Sequence, residues 1–507
     1  MNFSALRSLL LLIPVWLVIA WPWTRFGPSP WPSPQPLAET KTENQAFLAA
    51  AGERGLTTNH TSAANTSAAN MAWAGSNSGR DSVRDYGAVG DGVADDTAAL
   101  QRAIAHGATY FPAGTYRLTA PLDINLDELG FRALHGTGEA RLVMAGAGPA
   151  LRFRGTHGGT ADPPSVAARV WQRQRMPVVS YLEIVGEHVD ADGIEASGTM
   201  QLTISHVNIR ATRHAIHLVD RNRNLLIDAC HLYDNRGAGI FYDQVNLHQS
   251  NISACHISYN RSGGIVVRGG DVRNIHITGC DIEANMAPDA PPTANILFDS
   301  TGGSMAEAAI VGCTIQHAMK APESANIRIQ GRGQVLRQQQ VIPVDCGHIT
   351  IANNVLSDVQ YNLDLEHVRG VTITGNTLWQ GYTANLRLAH SSQVVIGSNI
   401  LERNPLYGYT QEASNRVELR DCQDCNIHGL QLHDVRDAPA ALSALRCRRL
   451  LITGCSFIDC APAAILWEDV SDSKLAGCLM HDSLPRAPGQ ESQPLLLRGA
   501  CQRNRVE

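Results

Sequence analysis

The sequence predicts an all-β solenoid, a single-stranded parallel β-helix with a short N-terminal capping helix. Three observations predict it. One short strand-like segment recurs along the chain at a basal spacing of about 23 residues. A second strand-like segment follows it in coil after coil. A small or polar residue falls three positions after the centre of the first segment in most copies, which marks a repeated inward turn. Repeated coils with occasional longer steps describe a solenoid with loop insertions, an architecture that a 507-residue chain accommodates better than one compact core.

The chain opens with an apolar run, LLLLIPVWLVIA from Leu9 to Ala20, behind the single positive Arg7. This reads as an export signal with Val18 and Ala20 as small residues before a cleavage point. An uncleaved membrane anchor is the alternative, because WPW extends the apolar character to Trp23. From residue 24 to 80 the chain is rich in Pro, Ser, Ala and Asn, as in GPSPWPSPQP and TTNHTSAANTSAAN, and reads as a disordered linker. The β-helix domain is expected over 81–507.

The cap comes next. DYGAVGDGVADDTAALQRAI, Asp85 to Ile104, crowds glycines and acids ahead of a helical pattern. Asp95 or Asp96 can cap a helix start, and Ala98, Ala99, Leu100, Ala103 and Ile104 supply an apolar face. A helix here covers the exposed edge of the first coil. Helix capping and loop hydrogen bonding account for Asp91, Asp95 and Asp96 better than a metal does. GATYFPAGTYRLTAPL, 107–122, reads as strand, turn and strand, the first coil.

The repeat follows, with copies such as LTISHVNI (202–209), IHITGCDI (275–282) and LLITGCSF (450–457). Their anchors are Ile204, Ile227, Ile252, Ile277, Ile310, Ile351, Ile373, Ile396, Ile427, Ile452 and Leu475. The second pieces, such as ANIRIQ and YNLDLE, alternate with period two and are half-buried strands. Three residues after the anchors stand Cys230, Cys255, Cys280, Cys313, Asn354, Asn376, Asn399, Cys455 and Cys478. Stacked asparagine amides hydrogen-bond along such a column, and cysteine fills the same space as a small hydrophobe. Twelve cysteines in an exported chain suggest disulfides, but the ladder positions argue for buried thiols. Cys422 and Cys425 form a lone C-x-x-C with no partner pair at zinc spacing.

VRDYGAVGDGVADDTAALQRAI followed by TYFPAGTYRL, about 83–122, resembles the N-terminal signature of the pectate-lyase superfamily, and the coils extend the likeness to about residue 480. The resemblance implies a right-handed β-helix with the pectin-lyase-like fold. It also implies a function among those of polysaccharide lyases, polygalacturonase-like glycosidases and phage tailspike-like proteins. The match thins at the residue level. Polygalacturonase-like enzymes carry N-x-D, paired aspartates, G-H-G and R-x-K on successive coils. This chain has NLD at Asn362 to Asp364 and RIQ at Arg328, no G-H-G, and paired aspartates only in the cap.

Sites on solenoids lie on an outer face beside the longer loops. Residues Ile216, Ile240, Ile265, Ile296, Ile327, Leu363, Leu386 and Val417 of the second strands are read as inward, so their neighbours point outward. Two charged clusters emerge there. One is Asp243, Arg268 and Asp299. The other is Arg328, Asp364, Glu366, Arg387, Glu418 and Arg420, with His367 and His390 beyond the strands. The insertions 285–294, 331–348 and 402–415 are expected to border this region, with Tyr361, Tyr382, Tyr407 and Tyr409 as flat surfaces for sugar rings. Charge pairing between neighbouring strands explains part of the pattern with no function at all.

Two chemistries fit the remainder. Glycoside hydrolysis needs two carboxyl groups, for which Asp364 with Glu366 or Asp299 qualify. Uronide β-elimination needs a cation at the substrate carboxylate, Arg328 or Arg387, or calcium on Asp243 or Asp299, and a base such as His390 or an arginine. Arg268, Glu418, Arg420, Tyr361 and Tyr382 are expected to bind substrate. The expected function is therefore that of an exported carbohydrate-active protein that cleaves an acidic polysaccharide. The alternatives are a non-catalytic polysaccharide-binding or envelope protein, and a sugar epimerase. No cofactor beyond calcium is implied. A net charge of −6 with 17% charged residues gives no footprint for nucleic acid. A membrane partner is expected only if the N-terminal segment stays uncleaved. The oligomeric state is left open.

Overall fold

The computed structural model describes residues 81–507 except 160–161, 407–411 and 489–490. The export segment, the linker, Tyr407 and Tyr409 lie outside the described residues. From residue 81 the chain winds as stacked coils whose strands pair in parallel with the equivalent strands of the next coil. Fourteen of these strands, beginning at Leu122–Asn125 and ending at Gln493–Arg498, form one sheet, here the second sheet. A larger first sheet holds the repeat strands.

The register follows the anchors. Ile204 pairs with Ile227, Ile227 with Ile252, and the series continues without a slip to Ile452 and Leu475. Ile216, Ile240, Ile265, Ile296, Ile327, Leu363, Leu386 and Val417 form a second unbroken column. Both columns are buried in one continuous core. Side chains alternate across a strand, so one shifted residue would turn the whole column to solvent. After every anchor but Ile396, the second residue closes the turn with left-handed backbone, as at Ala229, Ala254, Gly279, Gly312, Asn353 and Gly375. That conformation favours glycine and asparagine.

The cap is as expected in kind and different in detail. The helix Thr97–His106 buries Ala99, Leu100, Ala103 and Ile104, while Ala98 faces solvent. Asp95 accepts from the Thr97 amide and hydroxyl, and these bonds hold its carboxyl below the usual range. Asp96, buried, accepts instead from the amides of Val89 and Gly90 and ties the glycine turn to the helix. Asp91 accepts from the amides of Val93 and Ala94.

The inward column holds as well. The Asn354 side chain donates to Asn376, and Asn376 to Asn399, at 3.0 and 2.9 Å, while the Cys313 amide donates to Asn354. All twelve cysteines are free thiols. Burial pushes Cys346 up to about 12, so the thiolate that reacts or binds metal is disfavoured there. A second asparagine ladder, not anticipated, lines the start of the second-sheet strands. It runs through Asn235, Asn260, Asn285, Asn295, Asn326, Asn362 and Asn385, each side chain donating to the next.

Candidate functional site on the second sheet

The outward columns of the second sheet are those expected. Phe241, Val266, Leu297, Arg328, Asp364, Arg387 and Glu418 are in register, followed by Ser443. The next column runs Asp243, Arg268, Asp299, Gln330, Glu366, Ala389 and Arg420. Strand stacking puts each member about 4.8 Å from the next.

Asp364 stands at the centre. Its carboxylate accepts from Arg328 Nε at 2.7 Å and takes a two-point bridge from Arg387, at 2.7 and 2.8 Å. Arg328 is 5% and Asp364 6% exposed. Arg328 also donates to the carbonyls of Thr293 and Glu323, both on loops. Arg387 lies over the Tyr361 ring at 4.1 Å, a cation–π contact. Burial works against the charge on Arg387, but the bridge to Asp364 outweighs it and holds the guanidinium charged. This is a satisfied ionic clamp. Both Asp364 oxygens are engaged by guanidinium groups, and Arg328 is held by Asp364 and two backbone carbonyls. The N-x-D asparagine is likewise structural: Asn362 is a buried rung of the second ladder.

Around the clamp lie two depressions that share Arg387. One, about 160 Å³, is lined by Arg268, Asp299, Gln330, Glu366, Asp364 and Arg387, with Pro292 of the 285–294 insertion on its rim. The other, about 230 Å³, holds Glu418, Arg420, Ser443, Glu468 and Arg498. Arg268 and Arg420 are exposed, with no ion pair among the described residues. Among the described residues the Asp299 carboxylate accepts from the Thr301 amide and has no ion pair. Glu366 faces Arg332 at 3.3 Å and His367 at 3.5 Å. Glu418 bonds Arg416. Ser443 Oγ is buried without a partner and turned to the second depression.

Other expected residues are not brought in. His390 stacks on His367 and faces Asp421 at 3.7 Å, lining neither depression. Tyr361 and Tyr382 are half-buried, Tyr361 beneath Arg387. Asp243 and Asp299 flank Arg268 two coils apart, about 9.6 Å along the stack. The 331–348 insertion was expected on this face. It is instead an antiparallel hairpin, Gly333–Arg337 with Gln340–Val344, packed over Arg273, Glu307 and Arg369 of the first sheet. Only Arg332 at its base reaches Glu366.

A second buried clamp, not anticipated, lies on the same face nearer the cap. Asp192, fully buried, takes a two-point bridge from Arg213 at 2.9 and 2.6 Å and accepts from the His214 amide. His217 lies between Asp192, at 3.6 Å, and Asp243, at 3.2 Å. Burial lowers His217, but the two carboxylates outweigh it and raise its pKa. Burial pulls His214 down to about 4. Asp192 belongs to Ala191–Ser197, a coil upstream of the repeat copies aligned by sequence, so its outward position went unread.

Comparison with known proteins agrees with this architecture. Residues 182–315 match a family profile described as right handed beta helix region, and 81–141 one described as rhamnogalacturonase A/epimerase, pectate lyase-like. Tailspike protein 3 of bacteriophage CBA120 superposes with a TM-score of 0.51 at 14% identity, covering 84% of this chain and 61% of the tailspike. The fold is the pectate-lyase-like right-handed β-helix. Within this β-helix, residues 300–477 also match a profile described as periplasmic copper-binding protein (NosD). Among the described residues of that span, no three His, Cys, Asp or Glu side chains bring ligand atoms within 4.8 Å of one another. A 43-residue stretch is 58% identical to mannuronan C5-epimerase AlgE1 of Azotobacter vinelandii, spanning 7% of this chain and 3% of that enzyme. The A-module of mannuronan C-5 epimerase AlgE6 from the same organism aligns at TM-score 0.41 and 14% identity, over 83% of this chain and 99% of the module.

Proposed function

We propose that the β-helix binds an acidic polysaccharide along the outer face of its second sheet and cleaves it by β-elimination. The observation that carries this reading is the juxtaposition of Arg268, Arg387 and Asp299 in one depression where Asp364 and Glu366 already face guanidinium groups. Arg268 and Arg387 pair with the carboxylate of a uronate ring and draw charge from the carbon beside it. Asp299, next to Arg268 in register, takes the proton from that carbon. The electron pair becomes the new carbon–carbon double bond as the glycosidic C–O bond breaks, and the departing oxygen takes a proton from solvent. Arg420, Glu418 and Ser443 hold the neighbouring sugars in the second depression.

Hydrolysis fits less well. It needs a protonated carboxyl, whereas Asp364 is clamped by two arginines and Glu366 faces Arg332. Epimerisation shares the proton abstraction and returns a proton instead of breaking the C–O bond. The description of the family matched over 81–141 supports keeping it as the second reading. The Arg7–Ala20 pattern supports export. No helix among the described residues is long and apolar enough to cross a membrane.

The test is a panel of acidic and neutral polysaccharides incubated with the full chain, with and without calcium. Reducing ends with ultraviolet absorbance of unsaturated sugars support β-elimination. Reducing ends without absorbance mean hydrolysis. Solvent deuterium entering the ring without cleavage means epimerisation, and binding without any of these means a carbohydrate-binding protein.

A further inference from the structure

The first sheet carries a second group of ligating side chains, remote in the fold from the second-sheet face. His256–Ser258 and Asp281–Glu283 are paired strands of successive coils, with His256 in register with Asp281 and Ser258 with Glu283. Asp281 and Glu283 are two residues apart, so both point outward on one face. His256 Nε2 lies 3.5 Å from Asp281 Oδ2 and 3.6 Å from Glu283 Oε1, and it is buried without a hydrogen-bond partner. One ligand atom from each of the three lies within 4.8 Å of the other two.

These separations are long for hydrogen bonds. They are close to the edge of a tetrahedron of ligands around one ion: bonds of about 2.0–2.1 Å place ligand atoms about 3.3 Å apart. Among the described residues no arginine or lysine pairs with either carboxylate. The Asp192, Glu195 and His217 group offers a contrast, since its buried carboxylate is already neutralised by Arg213.

The surroundings orient the ligands. Gln316 Nε2 donates to Glu283 Oε2 at 3.4 Å. His317 Nε2 stands 3.7 Å from Glu283 Oε2, and its Nδ1 faces Asp358 at 3.8 Å. Asp358 in turn accepts from Ser357 at 2.6 Å. A histidine backed by a carboxylate is the usual outer support of an imidazole ligand. The His231 ring meets His256 edge-on at 5.8 Å.

We propose that His256, Asp281 and Glu283 bind a divalent transition metal of the zinc class, with the fourth position taken by water or by His317. One imidazole with two carboxylates on rigid neighbouring strands suits such an ion. Calcium prefers six to eight oxygens. The ion fastens two successive coils on the face away from the polysaccharide groove.

The test is equilibrium dialysis of chelator-stripped full-length protein against zinc, with calcium in parallel, for the wild type and for an Asp281→Asn/Glu283→Gln double variant. The wild type is expected to take up one more equivalent of zinc than the variant, and no extra calcium. The affinity lost exceeds the about 100-fold that outer-shell changes cost. Cobalt added to the wild type is expected to give tetrahedral visible absorption bands that the variant lacks. His256→Asn, at a half-exposed position, provides an independent variant with the same expectation. Equal zinc uptake by wild type and variants, or no zinc bound by any of them, overturns the proposal, as does preferential uptake of calcium.

Discussion

The outer face of the second sheet carries two buried carboxylates that look alike and are set differently. Asp192, near the cap, is bridged by Arg213; Asp364, further along, is bridged by Arg387 and Arg328. Between them the column is apolar, through Phe241, Val266 and Leu297, which pack with Ala294 and Ala325. The Asp192 clamp is surrounded by imidazoles, with His217 stacked on Phe241 at 5.4 Å and His214 at 4.9 Å. The Asp364 clamp is instead rimmed by Arg268, Asp299 and Arg420. An arginine-bridged carboxylate on this face is thus a structural part. What distinguishes the two regions is what stands beside it: partnered, titrating histidines near Asp192, and guanidinium groups in open depressions near Asp364.

The strongest way to break this comparison is to remove either carboxylate. Asp364→Ala leaves Arg328 buried and unpaired, and Asp192→Ala leaves Arg213 without its partner. Asp364→Ala is expected to cost about 3–5 kcal/mol, and Asp192→Ala, whose Arg213 partner is 43% exposed and can be hydrated, about 1–3 kcal/mol, each read as a fall in the urea midpoint. A catalytic role for Asp364 instead predicts lost turnover with little change in midpoint. Next comes the rung beneath the second clamp. Asn362→Ala leaves the Asn385 Oδ1 without its donor and takes one of two acceptors from the Asn326 side-chain amide, which keeps the Ser357 carbonyl, for about 2 kcal/mol, whereas a catalytic asparagine leaves stability unchanged.

A smaller effect separates the two regions by pH. His214 is held near 4 by burial, below the about 6.5 of an unfolded histidine. The unfolded chain therefore binds that proton first. The stability His214 contributes is complete above about pH 6.5 and is lost as the pH falls towards 4. His217, raised, contributes in the opposite sense, losing its share as the pH rises through its folded pKa. Urea midpoints of wild type and His214→Gln at about pH 7.5 and 5 check the sign: the wild type is expected to weaken more on acidification than the variant. The smallest expected effect is at the rim. Glu366→Gln is expected to change stability by less than about 0.5 kcal/mol, since Glu366 is half-exposed and its contacts are long.

Much of this was legible in the sequence because a solenoid repeats its physics. The isoleucine anchors, the alternation of the second strands and the Asn354–Asn376–Asn399 column recur in coil after coil, and each copy corroborates the others. The second ladder was equally legible, since Asn295, Asn326, Asn362 and Asn385 each stand just before an inward Ile or Leu. Its regularity was masked at Asn362 by the N-x-D pattern. The clamp around Asp364 was not legible, because Arg328 is fixed by the carbonyls of Thr293 and Glu323. Those carbonyls sit on loops that follow no repeat. The placement of the 331–348 hairpin depends on tertiary packing in the same way.

The most direct test of the groove is Arg268→Ala, measured for unfolding midpoint and for binding and turnover of whichever acidic polysaccharide the wild type accepts. Arg268 is exposed, in register between Asp243 and Asp299, and free of ion pairs among the described residues. Its loss is expected to leave the midpoint unchanged and to abolish most of the turnover, with weakened binding. Full activity in a stably folded Arg268→Ala protein would contradict the assignment of this face to uronate recognition.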